Sequence, residues 1–232
     1  MIKNLIPVNN LRHYWSFFGC ESEFPMQLGG NCVYLVSLLR AETERKIEML
    51  KVVNGTHVAA LIDNRRFFDP CLLMQKSLLV DSDFSMSNLD FDLSGRIELS
   101  RRKYNCLNVT WRVDLPNLDT SCSFFDFDIL NPIDSNLNDF DFELNRPQTD
   151  MFFLRFLNLS TGFLNVLCYL HRTNEWFWTF NPYPSSQYRC EVDSEFCDQF
   201  YESLGLSFES YKDLCIETTM LMRKFNCFRT LA

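Results

Sequence analysis

Apolar residues recur along this chain of 232 residues with two periods, one typical of helices and one typical of strands. Over residues 33–39 the apolar positions suit a mostly buried helix, and Asn31 precedes them as a good N-cap. The pattern also predicts a short helix or a packed arm over residues 9–18. Helical structure is predicted again over residues 193–228, close to the end of the chain.

Short apolar runs separated by turn residues predict strands through most of the remaining chain. Alternation of Phe and Asp in "FFDFDIL" and "DFDFEL" indicates a sheet with one solvated face, as in a small barrel or an open antiparallel sheet. The predicted strands lie within residues 46–53, 56–62, 65–70, 95–115, 121–130, 140–145, 161–172 and 175–183. The order of helix, strands and a strand-to-helix tail predicts a mixed α+β protein.

Composition and charge limit the kinds of protein that this chain can be. Hydrophobic residues make up 47% and charged residues 22%, which describes a folded protein with a sizeable core. The formal net charge of -8 argues against a nucleic-acid backbone as partner, because phosphate binding needs a basic surface. The longest apolar runs are far shorter than the roughly 20 residues of a membrane helix, and the N-terminus shows no secretory signal. We therefore expect no membrane span and a cytoplasmic location.

The chain contains 10 cysteines and 3 histidines. Without a secretory signal, most of these cysteines are expected to be buried hydrophobic residues and not disulfide partners. The sequence has no Cys-x-x-Cys pair, so the spacing of a zinc finger or zinc ribbon is absent. We therefore expect no metal site.

One cysteine has a different setting from the others. Cys32 lies in the predicted first turn of a helix, after a tight turn that Gly29-Gly30 allows. Backbone N–H groups and the positive end of the helix dipole favour a negative charge there, which lowers the pKa of a thiol. A nucleophilic cysteine also needs a base, and the base needs a group that orients it.

His57 and Asp69 can supply these two groups from one predicted hairpin. If the hairpin turns through residues 62–64, positions whose numbers sum to 126 face each other, and His57 faces Asp69. Directly opposed side chains have Cβ atoms about 4.5–5.5 Å apart, so Asp69 would hold one ring nitrogen. A turn changed by one residue would make the two diagonal neighbours, still within reach. The sequence therefore predicts a Cys–His–Asp triad.

Each of these residues also has an ordinary structural interpretation. A lone cysteine at a helix start is more often inert than catalytic, and a lone histidine in a strand is more often a packed core or surface residue. The Asp-Pro at 69–70 could simply end a strand, because proline interrupts the ladder. The combination of all three in this order favours the catalytic interpretation.

Two segments resemble a known superfamily. "LGGNC" at 28–32 and "THVAALIDNRRFFDP" at 56–70 resemble the core of papain-like transglutaminases and, within that superfamily, the arylamine N-acetyltransferase family. Residues 124–161 and 196–208 resemble later segments of that family in the same order. Two departures are Leu28, where the family has arginine, and Pro70-Cys71 after the aspartate, where the family has Val-Gly-Phe.

The resemblance implies a fold, a division of the chain and roles for the three residues. It implies a papain- or transglutaminase-like catalytic core with a short helical N-terminal part at 1–88, an antiparallel β-barrel-like domain at 89–160 and an α/β lid at 161–232. Cys32 would be the nucleophile, His57 the base and Asp69 the orienting residue.

The resemblance also implies an activity, a cysteine-dependent acyl transfer. An acyl group would pass from a thioester, either acyl-CoA or carrier-protein-bound, through acyl-Cys32 to an amine or similar nucleophile. An amide synthase in a biosynthetic pathway is one such enzyme, and no bound cofactor is expected. The alternative is a cysteine hydrolase with the same triad, such as a protease, an amidase or a glutamine deamidase. A catalytically silent binding module is the third interpretation, and the intact Cys, His and Asp argue against it.

Overall fold

The computed structural model describes residues 6–53, 57–72, 74, 77–80, 94–101, 106–114, 121–128, 132, 151–161, 164–179 and 189–224. Over these residues it shows a mixed α+β protein with four α-helices and antiparallel sheets, as the sequence predicts. Contacts divide the chain into two compact units. The first unit comprises the described residues of Cys32–Asp141, and the second comprises those of Ile6–Asn31 and Phe142–Ala232.

The elements are numbered in chain order. The helices are α1 (Leu11–Phe17), α2 (Cys32–Ala41), α3 (Ser194–Leu204) and α4 (Phe208–Lys224). Short 3-10 helices span Glu21–Glu23, Met26–Leu28 and Pro70–Leu72. The strands are β1 (Val8–Asn9), β2 (Ile47–Lys51), β3 (Val58–Ile62), β4 (Arg66–Phe68), β5 (Leu78–Leu79), β6 (Ser94–Arg101), β7 (Cys106–Asp114), β8 (Ser121–Asp128), β9 (Met151–Leu157), β10 (Leu164–Leu170) and β11 (Glu175–Thr179).

In the first unit, α2 packs on a four-stranded antiparallel sheet with the strand order β2-β3-β4-β5. All five residues of β3 are buried, which a strand of Val, Ala, Leu and Ile at the centre of a sheet tolerates well. Helix α2 buries Val33, Leu35 and Val36. The helix and sheet together form the scaffold for the candidate chemistry.

A second antiparallel sheet of the first unit has the strand order β6-β7-β8. A bridge between Val52 and Phe127 joins β8 to the residue after β2, and Val53 N–H donates to the Asp126 carbonyl over 2.8 Å. The predicted β-barrel is wrong for the described residues, where no sheet closes on itself. The next described strand, β9, pairs with β1 and β10 in the second unit instead of extending this sheet.

The second unit consists of a four-stranded antiparallel sheet with the order β1-β9-β10-β11 and of the helices α1, α3 and α4. Phe152, Leu154 and Phe156 of β9 share one apolar cluster with residues of the three helices. The intervening Met151 and Phe153 pack on a smaller cluster that contains Cys168. Both faces of β9 therefore contact apolar residues.

Local sequence signals mark the ends of the helices in this unit. Asp193 caps α3, because its Oδ1 accepts a hydrogen bond from Phe196 N–H over 2.8 Å. Gly205 ends α3 in the left-handed conformation (φ 64°), and its N–H donates to the Tyr201 carbonyl. The predicted helical stretch 193–228 is thus two helices with a break at Gly205.

Most predicted elements within the described residues are confirmed. The helix over residues 9–18 and the strands around 46–70, 95–115, 121–130 and 161–183 are present. The short strands β1 and β5 and the longer β9 were not predicted. The expected strand at 140–145 lies outside the described residues, and the papain-like core, the three-part division and the lid stay predictions. No helix in the described part of the chain is both long and apolar enough to cross a membrane.

Candidate active site

Cys32 is the first residue of α2, as the sequence predicts. It is partly buried, and α2 packs against β3 and against the 3-10 helix Pro70–Leu72. The backbone N–H groups of the first helical turn and the helix dipole favour a thiolate at this position. The fold therefore brings the thiol to the hairpin that carries His57 and Asp69.

His57 and Asp69 form the closest polar contact at the site. His57 Nε2 lies 2.6 Å from Asp69 Oδ2. The Asp69 side chain is 0% exposed and that of His57 is 20% exposed. A carboxylate can only accept, so Nε2 carries the proton of this bond. The other ring nitrogen, Nδ1, is then available to the thiol of Cys32.

The register of the hairpin differs from the predicted one. Leu61 pairs with Phe67 and Ile62 with Arg66, so the numbers of paired residues sum to 128 and not to 126. The predicted direct opposition of His57 and Asp69 is wrong, and the diagonal arrangement, which the sequence also allowed, is observed. His57 precedes β3 and Asp69 follows β4.

The loop between β3 and β4 explains the shifted register. Asp63 and Asn64 both adopt positive φ, at 51° and 59°, and Arg65 N–H donates to the Ile62 carbonyl over 3.1 Å. Asp and Asn tolerate this left-handed conformation better than most residues. The loop comprises residues 63–65, one position further along the chain than the predicted turn at 62–64, and this moves the pairing by one position.

Asp69 is held by the segment that follows it. Its Oδ1 accepts a hydrogen bond from Cys71 N–H over 2.9 Å, a local turn in which a side chain takes the place of a backbone carbonyl. Its own N–H lies 3.1 Å from Met74 Sδ. Both carboxylate oxygens are therefore engaged, one with the backbone of the turn and one with the imidazole. This arrangement fixes the orientation of the His57 ring.

Cys71 is a further residue of the site, and sequence reasoning missed it. Its thiol hydrogen-bonds with the thiol of Cys32. The two sulfur atoms and a ring nitrogen of His57 all lie within 4.8 Å of one another. The sequence signal is the Asp-Pro-Cys that follows β4, in which Pro70-Cys71 departs from the family pattern.

The electrostatic state of the site follows from these contacts. The hydrogen bond from Cys71 is the largest cause that lowers the pKa of Cys32, and His57 and a backbone contact with Val58 add to it, so the pKa lies well below normal despite burial. Burial lowers the pKa of His57, but the charge and hydrogen bond of Asp69, with a smaller contribution from Cys32, raise it well above normal. The site therefore favours a thiolate–imidazolium pair.

Aromatic residues line one side of His57. The ring of Phe127, which is fully buried, lies 5.8 Å from the imidazole in an edge-on arrangement and 5.3 Å from the ring of Phe67. Val52 N–H donates to the His57 carbonyl over 3.0 Å, which holds the backbone of the histidine. The apolar wall limits the access of water to that side of the ring.

The segment that leads to Cys32 requires glycine, as the sequence predicts. Gly29 adopts φ 66°, and a Cβ added there would collide with the Pro7 carbonyl. The Gly29 carbonyl accepts a hydrogen bond from Arg12 Nε over 2.5 Å, and the Gly30 carbonyl accepts one from Asn9 N–H over 3.0 Å. These bonds attach the turn to β1 and α1 of the second unit.

Comparisons with protein-family models, with curated proteins and with solved structures find no match for this chain. The resemblance to the arylamine N-acetyltransferase family consequently stands on the sequence motifs alone. The geometry of Cys32, His57 and Asp69 stands independently of that resemblance, because it is observed in the structure.

Proposed function

We propose that this chain is a cysteine-dependent acyltransferase that moves an acyl group from a thioester to an amine through acyl-Cys32. The observation that carries the proposal is the buried Asp69 carboxylate 2.6 Å from His57 Nε2, with the thiol of Cys32 beside the same ring. The arrangement supplies a nucleophile, a base and a group that orients the base.

In the first half of the reaction, the Cys32 thiolate attacks the carbonyl carbon of the thioester. A new C–S bond forms, and the bond from that carbon to the donor sulfur breaks. The departing thiolate takes the proton from Nδ1 of His57, which becomes neutral. Asp69 keeps the proton on Nε2 throughout, so Nδ1 is the only ring nitrogen that exchanges a proton.

In the second half, the amine attacks the carbonyl carbon of acyl-Cys32. Nδ1 of neutral His57 takes a proton from the attacking nitrogen, and the bond between the carbonyl carbon and Cys32 sulfur breaks. The amide leaves, and the thiolate–imidazolium pair is restored. The hydrogen bond from Cys71 stabilises the Cys32 thiolate each time it forms.

Transfer is favoured over hydrolysis by the surroundings of the base. Phe127 packs against His57 and Phe67 packs against Phe127, and exclusion of water by such apolar side chains protects an acyl-enzyme until an amine arrives. A thioester suits a thiolate nucleophile, because its leaving group departs as a thiol once Nδ1 of His57 protonates it. Acyl-CoA and a carrier-protein-bound acyl group are both donors of this kind.

The test is to offer thioesters to the reduced protein and to follow its intact mass. We expect one acyl group per chain from acetyl-CoA, from longer acyl-CoA or from acyl pantetheine thioesters, mapped to Cys32 by peptide analysis. Addition of arylamines or alkylamines should then discharge the label as the amide. Cys32→Ala should accept no label. If the protein hydrolyses peptides or glutamine amides and no thioester labels it, the acyltransferase proposal is wrong and the chain is a cysteine hydrolase.

A further inference from the structure

We propose that Cys32, His57 and Cys71 form a binding site for one Zn²⁺ ion. The two sulfur atoms and a ring nitrogen of His57 lie within 4.8 Å of one another. In the described part of the chain, no other group of His, Cys, Asp and Glu side chains brings three ligand atoms so close. The three residues come from the start of α2 and from the two sides of the β3–β4 hairpin.

The type of ligand points to zinc. Thiolates and imidazole are the ligands that Zn²⁺ prefers, and a Cys2His set leaves the fourth tetrahedral position open. Zn–S bonds of about 2.3 Å and Zn–N bonds of about 2.0–2.1 Å place tetrahedral ligand atoms roughly 3.5–3.8 Å apart. Side-chain movements of about an ångström therefore bring the three atoms to bonding distance.

Asp69 supplies the outer support that zinc sites usually have. A histidine that binds a metal with one ring nitrogen commonly donates the proton of the other nitrogen to a carboxylate, which fixes the ring. Nε2 of His57 is bonded in this way to Asp69 Oδ2, which leaves Nδ1 for the metal. Oδ1 of the same carboxylate accepts from Cys71 N–H, so Asp69 positions two of the three ligands.

The protons balance without any further reactant. Cys32 and Cys71 bind as thiolates and His57 binds as neutral imidazole, so the ion displaces one proton from the Cys32–His57 pair and one from the Cys71 thiol. Two protons are released per ion, and affinity consequently falls as the pH decreases. The fourth position is left for water or a small ligand.

The metal and the acyl group exclude each other, because both need the sulfur of Cys32. Bound Zn²⁺ would hold the proposed nucleophile in an inactive form, and removal of the ion would restore it. Only this inhibition rests on the proposed function. The metal site itself depends on the ligands alone, and it would stand if acyl transfer were disproved.

Native mass spectrometry of the reduced full chain titrated with Zn²⁺ tests the proposal directly. We expect one Zn²⁺ per chain, and protection of Cys32 and Cys71 from N-ethylmaleimide, mapped by peptide analysis. Cys71→Ser and Cys32→Ser should each weaken binding by more than the roughly 10–100-fold expected for Asp69→Asn, which removes outer support. Cys20→Ser, which changes a cysteine of the second unit, should bind as the wild type does.

Circular dichroism establishes that each variant is folded. If the chain does not fold with serine at the buried position 71, Cys32→Ser still tests a ligand of the site, because Cys32 is only partly buried. Any of three results would overturn the site: no bound Zn²⁺, wild-type affinity for Zn²⁺ in both serine variants, or protection from N-ethylmaleimide of other cysteines only. Acylation of metal-free protein is measured separately. If the chain binds Zn²⁺ but is never acylated, the metal site stands and the proposed function is disproved. If the chain is acylated but binds no Zn²⁺, the proposed function stands and the metal site is disproved.

Discussion

Cys32 of the first unit and Cys168 and Cys215 of the second unit have opposite chemical character although all three are at least partly buried. In the first unit, a hydrogen bond from Cys71 and the nearby His57 lower the pKa of Cys32 well below normal. In the second unit, burial raises the pKa of Cys168 to about 12 and raises that of Cys215 further. Burial outweighs the hydrogen bond that Cys215 makes with Tyr211, whereas the polar partners of Cys32 outweigh its burial.

The polar groups of the two units differ in the same way. In the second unit, the buried Thr218 hydroxyl donates to the Leu214 carbonyl and accepts from Trp15 Nε1 over 2.9 Å, so its polar contacts serve packing alone. In the first unit, the buried Asp69 carboxylate holds an imidazole that faces a thiol. A buried carboxylate is costly unless it is paired, and here the pairing also creates the base.

The largest expected effect separates Cys32 from the cysteines of the second unit. Cys32→Ala should reduce acyl transfer by about 10⁴-fold or more, because the nucleophile is lost. The matched variant Cys215→Ala should keep the wild-type rate. Transfer assays with folded, reduced protein check both. Equal rates for Cys32→Ala and the wild type would assign the chemistry to another residue.

The next largest effect on acyl transfer is expected from loss of the Asp69 carboxylate. Asp69→Asn should slow acylation of Cys32 by roughly 10²–10⁴-fold, because an amide no longer secures the proton on Nε2 of His57. The amide oxygen can still accept from Cys71 N–H, so the turn should keep its structure. Single-turnover acylation followed by mass spectrometry measures the rate.

Asp126→Asn is the matched control in the same unit, since the Asp126 side chain bonds to Asn108. It should acylate at the wild-type rate. If both variants slow equally, the loss comes from charge or stability and not from orientation of His57.

The pKa difference predicts a difference in alkylation. Because the pKa of Cys32 is lowered, its thiolate persists at pH values where an ordinary thiol is protonated, and its rate of reaction with iodoacetamide should fall less steeply from pH 8 to pH 6 than that of Cys215. At pH 6 it should react about 100-fold faster than Cys215 or more. Peptide mapping with time measures both rates. In urea-unfolded protein the alkylation rates of Cys32 and Cys215 should become similar. A difference that persists would contradict the view that the folded structure lowers the pKa of Cys32.

The raised pKa of His57 predicts the alkaline side of the activity profile. The imidazolium is lost only as the pH rises through this raised value, so transfer should decline at a higher pH than an ordinary histidine would give. The acid side should follow the lowered pKa of Cys32. In Asp69→Asn the alkaline decline should move to lower pH, because the carboxylate that raises the pKa is gone. An unmoved profile would show that another group sets it.

The smallest effect is on stability in the second unit. Cys215→Ser should lower the free energy of unfolding by about 1 kcal/mol, because a hydroxyl replaces a buried thiol in an apolar cluster. Acylation of Cys32 should be unchanged. Urea denaturation measures the loss, and Cys32→Ser should cost less stability because Cys32 is only partly buried. The reverse order would show that Cys32 contributes mainly to packing.

Local sequence patterns were sufficient to predict most helices and strands of the described residues and part of the candidate site. The start of α2 at Cys32 and the hairpin with Asp63-Asn64 both follow from residues close together in the chain, whereas the break at Gly205 between α3 and α4 was not predicted. Strand β9 was missed because both of its faces contact apolar residues, so it lacks the alternation that identifies a half-buried strand. A continuous apolar run does not distinguish a buried strand from a buried helix.

Residues that are close together in the sequence place a cysteine at the start of a helix and a histidine and an aspartate at the two ends of one hairpin. The packed structure sets the position of the loop at residues 63–65, and hence the register of that hairpin, and it places Cys71 beside the thiol of Cys32. Periodicity and turn preferences depend on neighbouring residues. The pKa of a thiol depends on charges and donors that packing brings together from distant parts of the chain.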